Sequence, residues 1–132
     1  IGGDAAAVRN GEPGAACKVM VGYTYYAIQH VSPYAMLGSV HVLEGMSTLL
    51  ADRAAASIAM SLQRSDAKGF SYLKSHGALD IEHVAFFKKL VGAIDDPAAQ
   101  KVIIDTSRII YGLYGNIFRE LGAGTAGIRH AA

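Results

Sequence analysis

Apolar residues recur at spacings of three and four along most of this chain, and nowhere do they alternate cleanly with polar ones. A period near 3.6 belongs to helices that bury one face, whereas a half-buried strand repeats every two residues. Val102-Ile103-Ile104 and Arg108-Ile109-Ile110 are β-branched, yet they sit inside a helical period that runs on through both. Four turn signals divide the pattern: Glu12-Pro13-Gly14, Ser32-Pro33, the polar stretch Gln63 to Gly69, and Asp95-Asp96-Pro97. Ser32 and Asp96 are suited to cap a helix whose first position is proline. The spacing predicts helices at about 13–31, 33–63, 67–76, 79–94 and 97–121, followed by a flexible Gly/Ala-rich tail at 122–132. The expected fold class is all-α, and 132 residues make one domain with a core of its own.

The chain carries 12 basic and 11 acidic residues, a net charge of +1, with no basic run or stripe. That balance gives no electrostatic grip on nucleic acid or an anionic membrane, so neither is expected as a partner. The longest apolar stretch, Ala15 to Val31, holds Lys18, Gln29 and His30 and is too short and mixed to span a bilayer. The single cysteine, Cys17, lies in an Ala-rich helical run and reads as a small core residue in a reducing compartment. No basic segment followed by an apolar one opens the chain, so a cytoplasmic location is expected. The first residue is Ile1, not methionine, which suggests a processed or partial chain.

Function is written in the ionisable residues that fall on apolar faces. Leu37, His41, Glu44, Thr48, Ala51, Ala55, Ile58 and Leu62 form one helical stripe, and so do Asp80, His83, Phe87, Leu90 and Ile94. His76 follows Phe70 and Leu73 at steps of three. Five ionisable residues are therefore expected to point inward: His41, Glu44, His76, Asp80 and His83. Burying a carboxylate or an imidazolium costs several kcal/mol, roughly, unless it is paired or binds metal. Each has an ordinary use: His76 can finish a helix before Gly77, Asp80 can cap the next one, and His41 and Glu44 can pair with each other or with Arg53. Together they also match the way helical bundles build carboxylate-bridged di-iron sites. Thiolate-preferring zinc and oxygen-ligated magnesium suit this donor set less well.

The stretch His76-Gly77-Ala78-Leu79-Asp80-Ile81-Glu82-His83 reads His-x-x-x-Asp-x-x-His, and Leu43-Glu44-Gly45 lies upstream on a proline-opened helix. This combination resembles the heme-oxygenase-like di-iron oxidases and oxygenases, related in fold to thiaminase-II-like and pyrroloquinoline-quinone-synthase-like proteins. The resemblance covers roughly residues 20 to 120. It implies a heme-oxygenase-like helical bundle with Glu44, His76, Asp80 and His83 as metal ligands, two ferrous ions per complete site, and O2 as co-substrate. The family completes its ligands with a further Glu and His from an earlier helix, which this stretch of sequence does not contain. The bundle is thus expected to be incomplete at its N-terminus, with the missing helix supplied by a second copy or a partner chain. His41 is a further candidate ligand. The implied activity is O2-dependent oxidation of a small organic substrate, which the sequence does not identify, and no catalytic side chain beyond the ligands is indicated.

Three other readings remain open at this level. A metal-free member of the same fold can be a small-molecule enzyme, although Cys17 stands in the wrong neighbourhood for the nucleophile that thiaminase-II-like chemistry needs. A heme protein can use one axial histidine, His30 or His41, although nearby carboxylates disfavour it. A helical oligomerisation module needs only that Glu44 and the histidines form structural pairs.

Overall fold

The computed structural model describes residues 4–63 and 69–129. Every regular element among them is helical: α1 (Ala5–Asn10), α2 (Ala15–Tyr26), a π-helical turn (Ala27–Val31), α3 (Ala35–Ser61), α4 (Ser71–Gly92) and α5 (Pro97–Arg129). The all-α class read from the spacing is the class observed. Three boundaries differ from the expected ones. The irregular start contains the short helix α1, because the Asp4 side chain accepts hydrogen bonds from the amides of Ala6 and Ala7 at 2.8 and 3.3 Å. The helices expected at 67–76 and 79–94 are one helix, α4, running through Gly77. A single interior glycine costs only about 1 kcal/mol relative to alanine, too little to break a helix of this length. The tail expected from Gly122 continues α5 to Arg129, and its last three residues, like the polar turn at 64–68 and residues 1–3, lie outside the described residues.

The chain divides into two compact units within α3, between Ser39 and Val40. The terminal unit comprises Asp4–Ser39 and Pro97–Ala132; the hairpin unit comprises Val40–Asp96.

In the terminal unit α2 packs against α5. Ala27, Ala35, Ala99, Ile103 and Ile110 form its buried apolar centre. Small residues let the backbones approach closely. A methyl group on Gly38 would stand 2.6 Å from the Ile103 carbonyl oxygen and 2.8 Å from Thr106 Cβ. The hydroxyl of Ser107 donates across this crossing to the Gly38 carbonyl at 3.2 Å and within α5 to the Ile103 carbonyl at 2.8 Å. A second tie fixes the start of α2. The Glu120 carboxylate accepts from the amides of Ala15 and Ala16 at 3.0 and 2.7 Å, satisfying two of the helix's unpaired donors and facing its positive end. Gly14 has no side chain to obstruct it, since a Cβ there would meet the carboxylate at 2.7 Å.

The hairpin unit pairs the rest of α3 with α4. Gln63 at φ 51° ends α3 and Gly69 at φ 90° precedes α4, the left-handed conformations that reverse a chain at little cost for glycine. Val42, Ala51, Ala55, Phe70 and Phe87 are its buried apolar residues. No helix among the described residues is long and apolar enough to cross a membrane.

Candidate metal centre

The hairpin brings three of the expected residues together. Glu44 on α3 and Asp80 and His83 on α4 each place one donor atom within 4.8 Å of the other two. His83 Nδ1 stands 3.3 Å from Asp80 Oδ1 and 3.5 Å from Glu44 Oε1. Asp80 and His83 meet because residues three apart share a helix face, and Glu44 meets them across the antiparallel seam. Asp80 is 5% exposed, whereas the Glu44 and His83 side chains are 30% and 55% exposed. The centre thus has one buried carboxylate at its floor and an imidazole at its open side.

Asp80 lies in the middle of α4, so it does not cap a helix start. Aspartate is a poor residue for a helix interior, where it competes with the backbone and gains nothing from capping. A carboxylate buried there needs a cationic or hydrogen-bonding partner, and His83 is the one that the structure shows.

His76 stands apart from the trio. Its Nδ1 lies 3.1 Å from the Tyr72 carbonyl oxygen and its ring lies 4.1 Å from the Tyr72 ring. A carbonyl oxygen only accepts, so Nδ1 carries the proton and Nε2 keeps a free lone pair, the arrangement that ligating histidines commonly have. His41 is on the exposed side of α3, with Val42 buried in its place, and its ring stacks on Phe87 at 5.3 Å. The expectation of five inward residues is corrected accordingly: Asp80 is buried, Glu44 and His76 are half-buried, and His41 and His83 are exposed. Two helices alone cannot enclose five polar side chains along one seam, and periodicity places a residue on a face only to within one position.

The donor chemistry fits a divalent transition metal. Two carboxylate oxygens and one imidazole nitrogen suit ferrous iron, and no thiolate is present among them. An ion about 2.1 Å from each donor holds them no farther than about 4.2 Å apart, so closure from the observed spacing needs only small side-chain rotations. An all-α protein with carboxylates and an imidazole converging from facing helices is of the helical metalloprotein type. A family model described as iron-containing redox enzyme matches residues 1–115. The chain belongs to this heme-oxygenase-like family. No curated protein and no solved structure matches it.

Proposed function

We propose that the protein is an O2-dependent non-heme iron oxidase or oxygenase acting on a small organic substrate, with Glu44, Asp80, His83 and His76 as iron ligands. The observation that carries the reading is the convergence of Glu44, Asp80 and His83 in a chain whose family is one of iron-containing redox enzymes. Bound iron would supply the electron transfer and O2 activation that these side chains lack.

The side chains themselves do the holding. Asp80 offers a carboxylate already removed from water, so a cation there compensates a desolvation cost that His83 meets only in part. His83 presents Nδ1 toward both carboxylates, and ligation requires that nitrogen to be unprotonated. His76 is tied at Nδ1 to the Tyr72 carbonyl, which leaves Nε2 as its donor. The exposed side, at His83, is where a substrate has access.

The proposal includes a pair of ferrous ions. Four protein donors do not fill the coordination of two ions, so further ligands come from a second copy of the chain or from a partner. The lone Cys17 is a free thiol, which fits a reducing compartment such as the cytoplasm.

Anaerobic reconstitution with ferrous iron, followed by metal analysis, tests this reading. Two irons per site in the wild type, lost in Asp80→Ala, is the expected result, together with O2 consumption by the loaded protein. Equally low iron in both proteins, or a Soret band from bound heme, overturns it.

A further inference from the structure

His41 shares the α3–α4 seam with the ligand trio without belonging to it. It precedes Glu44 by three residues on α3, and Phe87 follows His83 by four on α4. In an antiparallel pair these two displacements run the same way, so the His41–Phe87 contact sits one helical turn, about 5 Å, along the seam from Glu44 and His83. The rings are 5.3 Å apart and 18° from parallel, a stacked pair within the range of favourable aromatic contacts. Phe87 is 7% exposed and offers a fixed surface; the exposed His41 ring covers it.

We infer that His41 is a positioning residue for the metal centre: its stack on Phe87 holds α3 in the register that aims Glu44 at His83 and Asp80. The inference rests on the metal reading of that trio. Glu44 is the donor that needs such help. Asp80 and His83 are three residues apart on one helix, and their spacing is set by helix geometry alone. Glu44 comes from the other helix, reaches His83 only at 3.5 Å and is partly solvated, so its aim depends on how the two backbones are held. Loss of the ring would bare one face of Phe87 and loosen the seam one turn from the site. His41 acts through packing, so another flat ring serves in its place.

The experiment is an anaerobic titration with ferrous iron, repeated with cobalt(II) so that ligand-field absorption reports the donor set. Wild type, Asp80→Ala, His41→Ala and His41→Phe are compared, with helix content checked for each. The inference expects His41→Ala to bind both ions about tenfold more weakly, the lower end of what supporting residues around metal sites contribute. It expects His41→Phe to restore binding to within about threefold, and the cobalt bands to keep their positions in both variants, since no ligand has changed. Unchanged affinity in His41→Ala overturns the inference while the metal reading stands. A His41→Phe variant as weak as His41→Ala, or shifted cobalt bands, also overturns it, because the imidazole would then be acting as a donor. Absence of binding in the wild type itself overturns the metal reading and this inference with it, a failure separable from the other two.

Discussion

The two units handle buried polarity in opposite ways. In the terminal unit the buried polar residues are Ser39 and Thr106, and the Ser39 hydroxyl is spent on its own helix, donating to the Ala35 carbonyl at 3.3 Å. Carboxylates in that unit stay at the surface, where Glu120 serves backbone amides. In the hairpin unit the buried polar residue is a carboxylate, Asp80, in mid-helix, with an imidazole and a second carboxylate beside it. Hydroxyls can be satisfied locally, but a buried charge needs a partner, and gathering a second carboxylate around it adds repulsion. The terminal unit is organised for close packing and the hairpin unit for holding a cation.

The sharpest way to break that contrast is Asp80→Ala. We expect iron affinity to fall by at least about 100-fold, since even residues that merely support metal ligands contribute about 10- to 100-fold. The iron-free variant should keep its helix content by circular dichroism. A variant that retained iron but melted far below the wild type would make Asp80 a structural residue and erase the difference between the units.

Much of this was legible beforehand, for identifiable reasons. Helical class followed from spacing that no strand can satisfy. The pairing of Asp80 with His83 followed from a three-residue offset on one helix, and the likeness to a family of iron enzymes from adding His76 and Leu43-Glu44-Gly45. The exposure of His41 did not follow. Val42 is as apolar as its neighbours, and only packing against α4 decides which of two adjacent residues turns inward. Continuity of α4 through Gly77 was hidden because a glycine after a histidine is also a helix-ending signal. The Glu120 cap joins residues 105 and 104 positions apart, which no local pattern encodes.

The next largest effect belongs to the terminal unit. Gly38→Ala puts a methyl against the backbone of Ile103 and Ser107, atoms that cannot swing aside as a flexible side chain can. We expect a loss of about 2 kcal/mol, within the usual range for overpacking, seen as a lower thermal midpoint. Smaller again is Glu120→Ala, which strips two amides of α2 of their acceptor. A loss of about 1 kcal/mol is expected, as for other helix caps, and unchanged denaturant unfolding would show that water replaces the carboxylate without cost.

Gly112→Ala should have the smallest effect and the opposite sign. Gly112 lies within α5, in the same unit as Gly38, but a Cβ built on it meets nothing within 4 Å. With no close approach to protect, the glycine contributes only the backbone freedom it gives the unfolded chain. Alanine removes that freedom and favours the helix, so stability should rise by roughly 0.5–1 kcal/mol, read as a higher thermal midpoint. The comparison with Gly38 isolates the cause, because both substitutions add the same methyl to a helical glycine of the same unit. A drop in midpoint for Gly112→Ala would mean that this open stretch of α5 is covered in solution, and the terminal unit would then have a contact surface of its own.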